Sequence, residues 1–457
     1  MQRPALRPET LDRLRRTRMG LWRRSADARS TAIVVVVAVL GGVAAAGFAR
    51  ACDAAMALHE HLLASNRWAT LALLPLGFAA AAWATRRFAP AAAGSGIPQV
   101  IAAAETRWNR RRGGRRVSLA TAAWKVVLSA GLLACGASIG REGPTVQVVA
   151  GIMRTLTRGL RRPGRRAVIV AGGAAGVAAA FNTPIAGVVF AAEELTGGFD
   201  RRTQTTVILV VVAAGFTSYA IQGDYAYFGQ LSGDPLGSAW LAAPVIGVVG
   251  GLAGGLFARA LAELIGPADH PVARLRRARP VAFAALCGLV AVGAALASGG
   301  LTYGVGYAEA KSLLVDHPAG RGLSLAFWKA VASLAAAASG APGGIFAPSL
   351  AIGAGLGAAL AKAGLWVGGR AAVVLGMASY LSGVVQAPLT SAVILMEMTR
   401  DPGLVGPLML AALTARWVSG WVMPEPLYHR LSLGWRPPSH APPDVSTAVV
   451  GRALAND

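Results

Sequence analysis

The chain has 457 residues, of which 54% are apolar and only 14% charged. A soluble chain carries about 25% charged residues, so this one lacks the polar surface of a soluble globule, and the same bias excludes disorder. The formal charge is +23, from 44 basic and 21 acidic residues, and the placement of that charge decides between a nucleic-acid surface and a membrane-topology signal.

In chain order, residues 1–29 carry nine Arg and read as a cytoplasmic N-terminal segment. The first apolar run begins near Thr31, which is too late and too long for a cleaved signal peptide and long enough to span. Further apolar runs follow at 69–85, 118–139, 167–180, 184–196, 204–221, 239–264, 280–298, 325–340, 345–368, 371–397 and 403–423. Arginines cluster between them at 107–116, 154–166, 201–202 and 274–279. That is the pattern of cytoplasmic loops. It predicts a multi-pass protein of the inner membrane with both termini cytoplasmic, the lipid bilayer as a partner and no nucleic acid. Cys52, Cys135 and Cys287 form neither a disulfide framework nor a zinc pattern and read as small buried apolar side chains.

The runs are rich in Ala, Gly, Val and Leu and lack the alternation of barrel strands, so they predict helices. Several are short or broken by Gly and Pro, and these predict half-length helices. Irregular backbone survives at membrane depth only where protein or a water-filled cavity surrounds it, so the breaks are where function is expected.

The breaks also repeat. At a spacing of 204 residues, Trp124-Lys125 falls on Trp328-Lys329, Ser129 on Ser333, Gly136-Ala137 on Gly340-Ala341, Gly140 on Gly344, Pro144 on Pro348, Gly172 on Gly376, Pro184 on Pro388 and Glu193 on Glu397. The stretch before Lys125 is Arg-rich and that before Lys329 is not, which predicts two inverted halves, about 30–222 and 239–432. Inverted repeats with broken helices near the midplane are a transporter architecture.

Four breaks stand out: Gly94-Ser95-Gly96-Ile97-Pro98, Gly140-Arg141-Glu142-Gly143-Pro144, Gly343-Gly344-Ile345-Phe346-Ala347-Pro348 and Pro424-Glu425-Pro426-Leu427-Tyr428. In the first three, glycines lead to a proline and then to an apolar run. Proline suits a first helical turn, and the free amides and positive dipole end there suit an anion. Such a site attracts an anion without a fixed cation that would hold it too tightly to release.

Glu142 is a carboxylate inside an apolar stretch, which costs at least about 2.5 kcal/mol at the bilayer centre. Its neighbour Arg141 is poorly placed to pair with it, since adjacent residues diverge on a helix. A carboxylate beside an anion path can occupy an anion position when charged and swing away when protonated. Glu193-Glu194 closes another apolar run before Arg201-Arg202, and a carboxylate near each face would give protons separate entries. Glu397 reads as structural, capping or pairing at a helix end. The six His are scattered and read as solvated or interfacial, with no metal site. Trp68, Trp240, Trp417 and Trp421 read as interface anchors. No nucleophile–base pair or metal cluster marks an enzyme.

Taken together, the GSGIP, GREGP and GGIFAP motifs, the AFNTPIAGVVFAAEE block and the late Pro-Leu-Tyr resemble the CLC family of chloride channels and chloride/proton antiporters, over residues 30–432. The resemblance implies an all-α polytopic membrane fold of about 18 helices, many tilted or half-length, in two inverted repeats, assembled as a homodimer with one pathway per subunit. It implies that chloride is bound by the Ser95 hydroxyl, the Ile345 and Phe346 amides and the Tyr428 hydroxyl. It makes Glu142 the external gating glutamate and Glu194 the internal proton-transfer glutamate of antiporters, a position where family channels commonly lack an acid. Exchange of about two chlorides per proton follows, with no cofactor; a passive chloride channel is the runner-up.

Relatives with Pro at the Ser95 position resemble nitrate-selective members, and fluoride exporters carry Met in that motif, so Ser95 implies chloride. Gln99 and Ile101 depart from positions that are often acidic in bacterial relatives. The residues after Tyr428 leave no room for paired regulatory CBS domains, and residues 433–457 are expected to be a short disordered cytoplasmic tail.

Overall fold

The computed structural model describes residues 8–436 apart from 67, 69, 106–115, 161–162, 199–200, 224–226, 230–235, 267–269, 316–319 and 366. Most of the 107–116 Arg cluster, His317, His440 and residues 437–457 of the expected tail lie outside the described residues. Among the described residues there are eighteen α-helices and no sheet.

The first half holds α1 (Pro8–Ser65), α2 (Thr70–Phe88), α3 (Ile97–Glu105), α4 (Leu119–Ala134), α5 (Glu142–Leu156), α6 (Arg165–Phe181), α7 (Pro184–Phe190, continued by one π-helical turn, Ala191–Leu195) and α8 (Arg201–Gln222). The second holds α9 (Leu236–Ile265), α10 (Pro271–Ala278), α11 (Pro280–Ala297), α12 (Tyr307–Val315), α13 (Gly322–Ala338), α14 (Phe346–Lys362), α15 (Gly369–Val385), α16 (Pro388–Thr399), α17 (Val405–Val422) and α18 (Leu427–Leu433). The apolar run near Thr31 is thus the later part of a helix that begins at Pro8.

The repeat governs this order. Helices α5, α6, α7 and α8 start at 142, 165, 184 and 201, and α14, α15, α16 and α17 start 204 residues later at 346, 369, 388 and 405. The structure extends the repeat further than the 204 spacing reveals. Helices α2 and α3 start at 70 and 97, while α11 and α12 start at 280 and 307, a spacing of 210. Six additional residues shift that part of the repeat out of register. The stop signals repeat too: α6 ends on left-handed Asn182 (φ 58°) and α15 on left-handed Gln386 (φ 59°). Pro184 and Pro388 then open the next helices, where their fixed φ and missing N–H cost nothing.

Among the described residues, four helices are long and apolar enough to cross a membrane: Asp27–Ser65, Thr203–Gln222, Gly237–Ile265 and Pro280–Ala297. Two of the shorter helices, α6 and α15, are enclosed by the rest. Every residue of α6 from Ala167 to Phe181 is buried, as is every residue of α15 from Ala371 to Val385. A helix apolar on all sides must be enclosed on all sides. Small residues let the backbones approach: a Cβ on Gly376 would sit 2.3 Å from Gly353 O, where α14 crosses α15, the close packing expected where lipid supplies no hydrophobic drive. Large apolar side chains such as Leu241 (80% exposed) and Phe216 (70%) face outward. Trp68, Trp240, Trp417 and Trp421 are exposed as well, in keeping with interface anchoring.

Three cysteines are free, with Cys52 and Cys287 buried. His59 departs from the expectation of a solvated or interfacial histidine. It is buried, its ring packs 4.7 Å from the Tyr303 ring, and the space beside it exists because residue 136 is Gly.

Candidate functional site

The site forms where the two repeat halves touch. Gly140 N donates to Gly344 O at 2.7 Å and Gly344 N donates to Gly140 O at 2.7 Å, an isolated antiparallel bridge between the GREGP and GGIFAP motifs. Gly343 N donates to Gly94 O at 3.1 Å and ties in the third motif. Side chains here would keep the strands apart. A Cβ on Gly143 would lie 3.0 Å from Ser95 Cβ and 3.5 Å from Gly344 Cα.

As a result, the N-termini of α3, α5 and α14 converge. The residues preceding α5 and α14, Arg141 and Ile345, supply no side-chain cap. The first amides of a helix lack intrahelical acceptors, so this region is electropositive without a formal charge. The short helix α18 adds Tyr428 from another direction. Its ring stacks on Phe346 at 5.9 Å and 12°, and its hydroxyl is buried beside Ser95. Helix α18 packs on α3, and Arg436 just past α18 pairs with Glu105 at the end of α3. Phe181 and Phe190 enclose Phe346, with ring centroids 6.0 and 6.1 Å away. Ser95, Phe346 and Tyr428 are therefore neighbours, although more than 300 residues separate the first from the last.

Glu142 is buried at the start of α5. Its Oε2 accepts from Ala347 N at 3.4 Å, in the first turn of α14. Its Oε1 accepts from the Tyr307 hydroxyl at 2.7 Å. The carboxylate thus rests on a helix N-terminus, as an anion would. Arg141 turns away from it. The guanidinium donates to Asp53 Oδ1 at 2.6 Å, to Ala49 O at 2.9 Å and to the Tyr227 hydroxyl at 2.8 Å. The two side chains diverge at the helix start, as adjacent residues do.

Glu194 sits apart from Glu142, in the π-helical turn after α7, and is half-buried with Glu193 beside it and Arg416 of α17 acting on it as a countercharge. Gln99 is buried and donates to Ala93 O at 2.6 Å, while Ile101 packs in the core. Gln147 donates to Ala91 O and Arg116 O, both at 2.8 Å, and its side chain lines Gly96.

A family model, voltage gated chloride channel, matches residues 77–420. The chain belongs to this family. An H(+)/Cl(-) exchange transporter, ClcA, of Cronobacter sakazakii is 32% identical over 378 residues, 75% of this chain and 74% of the relative. The ClcA H(+)/Cl(-) exchange transporter of Salmonella arizonae is 29% identical over 466 residues, 93% of each chain. Among solved structures, a slow cyanobacterial Cl−/H+ antiporter superposes with a TM-score of 0.75 at 25% identity, covering 94% of this chain and 99% of that one. A CLC-type fluoride/proton antiporter shares the fold, with a TM-score of 0.72 at 23% identity over 86% of this chain and 95% of that one.

Within this family frame, three features escape a reading of motifs alone. Lys125 is fully buried, and its Nζ donates to Ala92 O at 2.6 Å and Gly94 O at 2.7 Å, holding the GSGIP loop. Its repeat partner Lys329 donates to Thr302 O, Tyr303 O and Gly304 O at 2.9–3.0 Å. Tyr307, at the end of that second loop, reaches Glu142. The 204 spacing marked both lysines as equivalent, but it carries no information on which carbonyls they hold, and Tyr307 matches Ile97 of the first motif only at the 210 spacing that the helix starts reveal.

Proposed function

We propose that this chain exchanges chloride for protons across the inner membrane, with about two chlorides moving per proton. The observation that carries the reading is the seat of Glu142. A carboxylate that accepts the Ala347 amide at the α14 N-terminus occupies the kind of position an anion takes there. Protonation removes its charge and its claim on that amide, so an arriving chloride replaces it. One residue thereby gates the anion and carries the proton.

In this reading, chloride binds at the meeting point of α3, α14 and α18. The Ser95 and Tyr428 hydroxyls and the Ile345 and Phe346 amides coordinate it. Neutral donors and helix dipoles hold the ion strongly enough to desolvate it and weakly enough to let it leave. Glu194 takes the proton on the cytoplasmic side. Its place in a different helix gives the proton an inner entry separate from the chloride route. Names borne by the ClcA relatives and by the superposing cyanobacterial antiporter support the same exchange. Each subunit of a homodimer carries one such pathway, and both termini are cytoplasmic.

Purified protein in liposomes tests this with simultaneous chloride and proton measurements. A chloride gradient is expected to drive protons uphill. Glu194→Gln is expected to retain anion flux and lose proton movement. Glu142→Gln is expected to lose proton movement and the pH dependence of chloride flux. Chloride flux without any proton movement in the unaltered chain overturns exchange in favour of a passive channel. Stronger competition by nitrate or fluoride than by chloride overturns the anion assignment.

A further inference from the structure

Tyr307 opens α12 and lines a cavity of about 750 Å³ together with Arg50, Asp53, His59, Glu60 and Tyr303. Its hydroxyl donates to Glu142 Oε1 at 2.7 Å. The phenol therefore stands between the cavity and the carboxylate. The 204 spacing does not reach it; at the 210 spacing it is the counterpart of Ile97, whose side chain has no hydroxyl to offer.

The ring is braced. Tyr227 packs on it with centroids 4.7 Å apart and planes at 37°, and Phe228 meets it edge-on at 6.2 Å. Tyr227 is itself fixed: its hydroxyl accepts from Arg141 Nη2 at 2.8 Å and donates to Ala180 O at 3.0 Å. Below, Lys329 pins the Thr302–Gly304 carbonyls of the loop that leads into α12. Gly306, just before the tyrosine, has φ +93° and lies against Lys329 and Ala351. A side chain held from behind, from the side and from below has lost its rotamer freedom before it makes its bond. Its hydrogen bond to Glu142 then carries little ordering cost.

We propose that Tyr307 is a positioning residue for the gate: a latch that holds the Glu142 carboxylate in its seat at the α14 N-terminus. The proposal rests on the gating role given to Glu142 above. A hydrogen bond donated to a carboxylate favours the ionised form over the protonated one. The latch therefore sets how acidic the medium must become before Glu142 releases the site. The other charged and titratable groups acting on Glu142 or Tyr307 are Arg141 beside the carboxylate, Cys52 from α1, Tyr227, and Tyr428 from α18; Arg50, Asp53, His59, Glu60, Tyr303, Glu309 and Lys311 line the cavity with Tyr307, and Lys329 lies against Gly306. Among these, Tyr307 alone has a hydrogen bond to a Glu142 carboxylate oxygen among the described residues.

The test is the pH dependence of chloride efflux from liposomes containing the full chain, with proton movement recorded in parallel. Tyr307→Phe removes one hydroxyl and keeps the ring stack. Its efflux midpoint is expected to rise by about one pH unit or more, because the hydrogen bond it loses is one made to a charged group. Efflux at pH values above the original midpoint should rise up to about tenfold for each such unit. In the Glu142→Gln background the same substitution should change nothing, because no carboxylate remains to be held.

An unmoved midpoint in Tyr307→Phe overturns the latch, as does a shift that persists with Glu142→Gln. If Tyr307→Phe fails to fold, 3-fluorotyrosine incorporated at position 307 alone provides a second measurement with the fold retained. A fluorinated phenol is the stronger donor, so the midpoint should fall; a midpoint that stays or rises overturns the latch. Absence of proton coupling in the unaltered chain overturns the exchange reading and leaves the latch standing, because the efflux midpoint is read from chloride alone.

Discussion

Glu193 and Glu397 each cap the helix that follows the left-handed stop in the opposite repeat half. Glu397 accepts from Ile185 N at 3.1 Å and Ala186 N at 2.7 Å, at the start of α7. Glu193 accepts from Leu389 N at 3.1 Å and Thr390 N at 2.7 Å, at the start of α16, and from the Thr390 hydroxyl at 2.7 Å. Every partner in one set is 204 residues from its partner in the other. The structural role expected for Glu397 is thus a cap, and Glu193 shares it. This leaves Glu194, in the same pair, without that duty.

Glu397→Ala and Glu193→Ala are each expected to lower stability by about 1–2 kcal/mol, the usual cost of losing an N-terminal cap with its favourable dipole interaction. Thermal melting of the detergent-solubilised protein checks this. The Glu193 variant should fall slightly further because it also loses the Thr390 hydroxyl. Proton coupling should survive both, and its loss in Glu193→Ala would transfer the proton role from Glu194 to its neighbour.

Gly344→Ala places a methyl 3.0 Å from Gly140 O, 3.1 Å from Gly143 N and 3.1 Å from Pro144 Cδ. The contacts are backbone or ring atoms and cannot rotate aside. Overpacking of this kind costs about 1–3 kcal/mol. Because the displaced atoms are the α5 and α14 entries, chloride flux should fall far more than the melting temperature suggests. Flux unchanged from that of the parent would show that the Gly140–Gly344 contact does not shape the pathway.

Lys125→Met removes the donor that holds Ala92 O and Gly94 O. Ala92 O is left without this donor, at a cost of about 1–3 kcal/mol, while Gly94 O keeps only its bond from Gly343 N. The GSGIP loop should loosen and chloride affinity should drop, as read by calorimetric chloride titration. Lys329→Met removes the same support from residues 302–304, which lead to Tyr307. Its effect is expected in the pH dependence of efflux and not in affinity. The two lysines are equivalent by repeat, and the measurements should separate them by the loops they hold.

Tyr428→Phe deletes a hydroxyl and keeps the stack on Phe346. Loss of one hydrogen bond to the ion, worth about 1.5–3 kcal/mol because the acceptor is charged, should weaken chloride binding by roughly ten- to a hundredfold. Chloride titration checks it. Unchanged affinity would remove the Tyr428 hydroxyl from the coordinating set.

Composition and charge placement were enough for the membrane class, because apolar excess and Arg-rich loops are averages over many residues and survive local error. The 204 spacing was legible because Trp, Lys, Pro and Glu are rare in an Ala-rich chain. The part of the repeat shifted to 210 was not, because α2, α3, α11 and α12 share apolar character without rare marker residues. The Gly-Pro breaks disclosed helix entries, since φ freedom and a missing N–H are properties of single residues.

What the sequence by itself determined, then, is an all-helical membrane chain with a twofold internal plan and broken helices where an anion can meet free amides. Only the tertiary structure decided which breaks touch, that Arg141 turns to Asp53 and not to Glu142, that Glu193 and Glu397 are caps, and that Tyr307 reaches Glu142. The reason is physical. Helix periodicity and turn chemistry act over a few residues, whereas the contacts that define the site join positions such as 140 and 344, 142 and 307, or 95 and 428. Those distances close only when the two halves pack around buried helices α6 and α15.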